Sequence, residues 1–194
     1  MGRFWSYCFF GFYCTCGVLF LSGKAWGTEE KKERVWIERQ ERAVISPLIL
    51  ERTDAENSWV KVSIAQQRAY LMNGEDVAID TPVSTGKRNS TPRGEYEILE
   101  KLKDYRSNVY GNFTDASGRV VRRGVSVRMD SAPSGTHFVG GSITYWMRMK
   151  QEGFGMYVGE LPGYPATGGG IRLPADIAPL IFAKVKLGTR VLVE

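Results

Sequence analysis

The sequence predicts a mostly-β domain with one C-terminal helix, running from about residue 58 to 194. Three observations carry that expectation. From Trp59, the apolar residues Val60, Val62 and Ile64 alternate with Lys61 and Ser63, the period of a half-buried strand. Turn-forming residues then punctuate the chain at Asn73-Gly74 and Thr91-Pro92-Arg93-Gly94. A single late segment has helical spacing: Pro174 sits near its first turn, Ile177, Leu180, Ile181 and Val185 mark one face, and Gly188 closes it.

Taken in order, the strand at Trp59–Ile64 is followed by Ala69-Tyr70-Leu71-Met72 and, after the Asn73-Gly74 turn, by Val77 to Val83. These three read as an antiparallel meander. The next strand runs from Glu95 to Glu100. Asp104 to Ser117 is rich in Asn, Ser, Gly and Asp and reads as a loop. Shorter strands follow at Gly124 to Met129 and Thr144 to Met149, and Arg190 to Val193 is the last. Tyr145 and Trp146 read as core residues, with the lining of a groove as the alternative.

Upstream of this domain the character changes. Arg3 precedes an apolar run from Phe9 to Leu21, interrupted by Gly11 and Thr15, and Ala25-Trp26-Gly27 offers small residues where a signal peptidase reads. Residues 1–27 are therefore expected to be an export signal cleaved after Gly27. An uncleaved N-terminal membrane anchor is the alternative, although the run is short of the ~20 residues a span needs. Bulky Tyr13 before Cys14, and Tyr13-Cys14-Thr15 before Cys16, make a poor lipobox. Residues 28–57 form a charged spacer opening Glu29-Glu30-Lys31-Lys32-Glu33-Arg34, which Pro47 interrupts.

All three cysteines, Cys8, Cys14 and Cys16, lie in the signal segment, so the mature chain has no thiol for a disulfide, a metal or nucleophilic attack. The formal net charge is +5. Removing residues 1–27 leaves 24 basic and 21 acidic residues, a net of +3. That bias suits an anionic wall polymer and falls short of a nucleic-acid footprint. No cofactor or metal is implied.

Three segments, in order, resemble the YkuD-type L,D-transpeptidase family. Val62 to Asn73 is similar to its opening hairpin. Pro82-Val83-Ser84-Thr85-Gly86-Lys87, followed by Thr91-Pro92-Arg93-Gly94-Glu95-Tyr96, resembles its VSTGK…TPxGxF signature. Gly155-Met156-Tyr157-Val158-Gly159, Thr167-Gly168-Gly169-Gly170-Ile171-Arg172-Leu173 and Gly188-Thr189-Arg190-Val191 resemble its GxHxG…SHGCIRL…GTxV. The resemblance covers the whole of the domain and implies a YkuD-type β-sandwich or barrel. In active relatives it implies cysteine acyl transfer on a peptidoglycan stem peptide, with a histidine activating the thiol and backbone N–H groups stabilising the oxyanion.

Transferred residue by residue, the chemistry is missing. Gly170 stands at the family's cysteine, Gly168 at the histidine two residues earlier and Tyr157 at the upstream histidine. Thr167 replaces the usual serine, while Gly169 and Arg172 match the motif. No residue is assigned a catalytic role. Tyr157, Thr167, Gly168, Gly169, Gly170 and Arg172 are the candidate ligand-binding residues. Neither Thr167 nor Ser84 has a base nearby in sequence, and the ordinary tyrosine pKa near 10 makes Tyr157 a poor base. The glycine run either forms an anion-binding nest or is the family loop stripped of side chains. His137, the one histidine in the chain, falls outside every motif. Arg119, Arg122, Arg123 and Arg128 read as a solvated hairpin, with contact to wall carboxylates as the alternative.

The expectation is an exported cell-envelope pseudoenzyme that binds peptidoglycan stem peptides or regulates wall remodelling. An active transpeptidase using unconventional residues and a secreted structural domain without a ligand are the alternatives.

Overall fold

The computed structural model describes residues 40–194. The expected signal segment and the start of the spacer lie outside the described residues. Two sheets and one main helix make up the domain, in line with the expected fold class. The meander is present as β2 (Ser58–Ser63), β3 (Arg68–Asn73) and β4 (Asp76–Pro82), antiparallel and in sequence order. The Asn73-Gly74 turn places Gly74 at φ 59°, the left-handed region that glycine enters without penalty.

The described part of the charged segment is not all tether. Val44–Ile45 (β1) pairs with β4, and Pro47–Arg52 forms a short helix, α1. Pro47 starts this helix instead of interrupting one, because a first-turn position needs no N–H donor. Gln40 also docks, its side-chain amide donating to the carbonyls of Gln67 and Val83.

The expected strand at Glu95–Glu100 divides into β5 (Gly94–Glu97) and the start of β6 (Glu100–Asp115). The larger correction is β6 itself. The segment Asp104 to Ser117, read as a loop, is mostly strand, and it pairs with both β7 (Val120–Ser126) and β8 (Thr136–Lys150). Local composition argued for a turn, but pairing along a 15-residue partner strand overrides it.

β6 reaches that pairing through a wide bulge. Arg106 opposes Ser142 and Gly111 opposes Gly140, so Ser107 to Tyr110 are extruded from the ladder. The Ser107 hydroxyl accepts from the Val109 and Tyr110 amides at 3.2 and 2.9 Å, folding the extruded turn on itself. Gly140 permits the close approach, since a Cβ there would lie 2.0 Å from the Ser107 carbonyl oxygen.

The remaining strands are β9 (Phe154–Val158), β10 (Ile171–Leu173) and β11 (Arg190–Val193). One sheet runs β1-β4-β3-β2-β11-β5 and the other β10-β9-β8-β6-β7. The C-terminal helix, α2 (Ala178–Lys184), is preceded by a turn in which the Ile177 and Ala178 amides donate to Pro174. Its buried Ala178 and Ile181 join Val60, Leu71, Met147, Met156 and Ile171 in one apolar core shared by both sheets. That core is what holds β9 and β10 side by side beneath the candidate site.

Candidate functional site

β9 and β10 are parallel neighbours, with Arg172 opposite Tyr157. Ile171, Leu173 and Met156 point into the core and are fully buried. By strand alternation, Gly170, Arg172 and Tyr157 therefore share the opposite face.

The crossover joining the two strands is tied down along one side. Ser84 and Arg172 exchange backbone hydrogen bonds of 3.1 and 2.9 Å, and the Ala166 and Thr167 amides both donate to Thr85. Thr85 is in turn fixed by Gln67, which is only 2% exposed: the Gln67 amide donates to the Thr85 hydroxyl at 2.7 Å and accepts from the Thr85 amide at 3.0 Å. The buried Thr91 hydroxyl accepts from the Gly86 amide and donates to the Gly169 carbonyl, each at 2.7 Å. Within the loop, Thr167 accepts from the Gly169 amide at 3.0 Å and donates to the Gly170 carbonyl at 2.6 Å. Gly169 has φ 136° and packs on the Ser90 carbonyl, so glycine is required there.

The other side of the loop is lined by rings. A Cβ on Gly170 would lie 2.8 Å from Tyr157 Cε1, and a Cβ on Gly168 would lie 2.9 Å from the Tyr110 hydroxyl. The first and last glycines of the run are thus the two on which tyrosines rest. Tyr157 tilts against Trp146 with ring centroids 6.0 Å apart, and Trp146 stacks on Tyr105 at 5.5 Å. Together with Tyr110, Phe154 and the three glycines, these residues wall a cavity of about 570 Å³. Trp146, expected in the core, is 4% exposed and also forms part of that wall.

Five of the six expected binding residues meet at the cavity: Tyr157, Gly168, Gly169, Gly170 and Arg172. Thr167 is buried beneath them and holds the loop. Sequence reasoning gives no place at the site to Tyr110, Tyr105, Thr91 or Gln67, whereas for Trp146 it leaves groove lining open as the alternative to core. His137 lies at the far end of β8 from Trp146, opposite Thr114, and does not line the cavity. Tyr145 packs edge-on against Phe182 of α2, away from the loop. Among the described residues no three His, Cys, Asp or Glu side chains converge as a metal site would need.

Charge at the cavity is one-sided. Arg172 lays its methylenes against Gly159 and donates from Nη1 to the Glu160 carbonyl at 3.3 Å. Arg128 enters from the turn after β7, and no acidic side chain pairs with it among the described residues. The one lining carboxylate, Glu152, is exposed and lies 3.6 Å from Lys150.

This arrangement of two sheets, a long crossover and a glycine loop over a parallel strand pair has known counterparts. The family model for the L,D-transpeptidase catalytic domain matches residues 57–193. The chain belongs to that family. Similar solved structures include an L,D-transpeptidase from Mycobacterium smegmatis, with a TM-score of 0.54, 16% identity, and coverage of 71% of this chain and 58% of that one. An L,D-transpeptidase from Stackebrandtia nassauensis aligns with a TM-score of 0.51 and 14% identity over 74% of this chain and 59% of its own. An LD transpeptidase in complex with imipenem aligns with a TM-score of 0.53 and 17% identity over 71% and 59%. The chain thus spans less than two thirds of each of these structures, and at such identities the likeness is one of fold. No match is found among curated proteins. Gly170, the position that the sequence resemblance sets against the family's cysteine, has a tyrosine ring resting on it.

Proposed function

We propose that this L,D-transpeptidase-fold domain is a non-catalytic, peptidoglycan-associated module of the cell envelope that binds stem peptides in the cavity beside Gly168-Gly169-Gly170. The observation that carries the reading is the Tyr157 ring 2.8 Å from where a Cβ at residue 170 would stand. A site reduced from Cys to Gly alone would leave a gap that one substitution refills. Here the gap is occupied, so the cleft is rebuilt and not merely disarmed. The two hydroxyls considered in place of a thiol, those of Thr167 and Ser84, are committed. Thr167 holds Gly170 and Gly169, and fully buried Ser84 donates to Tyr164 and accepts from Ala166. A nucleophile also needs an adjacent base, and the chain's one histidine is elsewhere.

Two measurements test the reading. Intact-mass spectrometry of the residue 28–194 protein, which has no cysteine, should show no added mass after incubation with imipenem, and a stable adduct would overturn the non-catalytic assignment. The protein should also be retained on purified sacculi, and free passage would favour a structural domain without a ligand. Export with cleavage after Gly27 belongs to the same proposal, and N-terminal sequencing of protein from cells should begin near Thr28. A start at Met1 in the membrane fraction would favour an anchor.

A further inference from the structure

We propose that the exposed turn after β7, together with the end of that strand, docks on an anionic lipid bilayer. Ser126 to Asp130 form a turn that is held from the inside. The Met129 and Asp130 amides donate to the Ser126 carbonyl at 3.0 and 2.8 Å, and the Asp130 carboxylate accepts from the Ser126 amide at 2.8 Å. So held, the turn presents apolar side chains outwards: Met129 is 88% exposed and Val127 42%. The Val127 amide donates to the Val109 carbonyl at 3.0 Å, and Tyr110, 54% exposed, pairs with Ser126 beside them. Apolar side chains grouped on the surface of a globular domain mark an interaction site.

The charge around the turn points to the partner. Arg119 pairs with Asp115 and Arg122 with Asp130, which occupies the two carboxylates of this hairpin. Arg123 and Arg128 are exposed and have no acidic partner among the described residues. Apolar tips flanked by unpaired guanidinium groups suit a bilayer interface: the tips enter the acyl boundary while the cations sit among lipid phosphates. A hydrophilic wall polymer would meet the charge and leave Met129 in water. A protein partner would need about 800 Å² of matching surface, far more than the side chains of one turn supply. β7 is the outer strand of its sheet, so the turn stands at an edge free to meet a flat surface. Arg128 and Tyr110 also wall the cavity, and the docked domain therefore holds the cavity mouth at the bilayer. Docking of this kind does not depend on what the cavity binds.

The test is vesicle sedimentation of the residue 28–194 protein, which omits the apolar run Phe9 to Leu21 and keeps every residue of the core. Vesicles of equal parts phosphatidylglycerol and phosphatidylcholine should bind it about tenfold more tightly than phosphatidylcholine alone, and added salt should shrink the difference. Arg123→Gln should weaken binding about fivefold, the contribution of one arginine at an anionic surface. Met129→Asp should weaken it on the order of tenfold, by removing an apolar contact and adding a like charge to the lipid's. Both positions are exposed, and melting curves check that each variant is folded. Met129→Trp should add indole emission that shifts to shorter wavelength and is quenched by brominated lipid in the mixed vesicles. No preference for anionic vesicles, or an added indole that stays in water while the protein binds, overturns the proposal. Soluble poly(glycerol phosphate) that competes equally well against wild type and Met129→Asp replaces the bilayer by a wall polymer. Retention on sacculi should be the same for Met129→Asp and wild type, because Met129 lies outside the cavity wall. Loss of retention together with vesicle binding would assign the turn to the wall and overturn the proposal. Vesicle binding without any retention on sacculi would remove the peptide-site reading and leave membrane docking standing.

Discussion

The two flanks of the loop Thr167–Gly170 are built on different principles. On the flank facing β4 and Thr91, the loop is held by short, directed hydrogen bonds: Thr91 to Gly86 and Gly169, Gln67 to Thr85, Thr167 to Gly169 and Gly170. On the flank facing β6 and β9, the contacts are ring surfaces, Tyr157 over Gly170 and Tyr110 over Gly168. The first flank fixes the backbone without using any side chain at 168 or 170. The loop's path therefore needs no side chain at 168 or 170, and the rings of the second flank occupy the space beside both glycines.

The largest expected effect tests the hydrogen-bonded flank. Thr91→Val keeps shape and removes the hydroxyl, leaving the buried Gly86 amide and Gly169 carbonyl without partners. Each buried unpaired group costs about 1–3 kcal/mol, so a loss near 3 kcal/mol is expected in chemical denaturation. A loss under about 0.5 kcal/mol would mean that the loop is held from the ring side, and the contrast between the flanks would collapse.

Gly86→Ala should rank second. Its φ of −71° is ordinary, so the strain is one of space alone. The new Cβ would meet Ser90 Oγ at 2.3 Å, the Thr91 amide at 2.7 Å and the Gly169 Cα at 2.9 Å. Ser90 can rotate away, but the other two atoms are backbone. Overpacking of this kind costs about 1–3 kcal/mol, and about 2 kcal/mol is expected. The same substitution at Gly118, where a Cβ meets nothing, has only the φ of 84° against it and should cost less. Melting curves of the two variants give the comparison, and equal losses would show that crowding at Gly86 adds nothing.

The two flanks also differed in how far the sequence disclosed them. Gly168, Gly169, Gly170 and Arg172 are legible because motif order fixes them in one short stretch ending in a strand. The meander and the final strand are legible because their alternation is local. Tyr110 and Tyr105 were not, because they lie in a segment whose Asn, Ser and Gly content argues for a loop. Tyr105 reaches the site through pairing with β8, opposite Ile143 and 38 residues away, and Tyr110 through the extruded turn and its pairing with Ser126 of β7. One signal was present: Gly111 and the pair Gly140-Gly141 mark strands whose backbones approach closely, since glycine within a strand signals a bulge. For Trp146 the sequence leaves core and groove both open, and the structure shows both, because burial and cavity lining are not exclusive for a large ring.

The smallest effect addresses the ring flank, and it is the most discriminating. Gly170→Ala adds one methyl 2.8 Å from Tyr157 Cε1 and 3.3 Å from the Gly155 carbonyl oxygen. The ring is a side chain and can swing, at the expense of its contact with Trp146, so the cost should be modest. In a Tyr157→Ala background that clash is gone and only the Gly155 contact persists. The double-mutant cycle should therefore return a coupling of about 1 kcal/mol, the second substitution hurting less once the first is made. Zero coupling would mean that the ring yields freely and that Gly170 does not depend on it. The same geometry governs attempts to restore chemistry. Gly170→Cys alone places sulfur against Tyr157 with no base, and positioned acid–base groups contribute about 10² to 10⁴ in rate. Adding Tyr157→His relieves the first clash, but Gly168→His then meets the Tyr110 hydroxyl at 2.9 Å. A trace of D-amino acid release from a tetrapeptide is expected only when Tyr110→Ala accompanies all three. Turnover by Gly170→Cys alone would show that Tyr157 moves aside and that a base reaches the loop, which would undo the contrast between the two flanks.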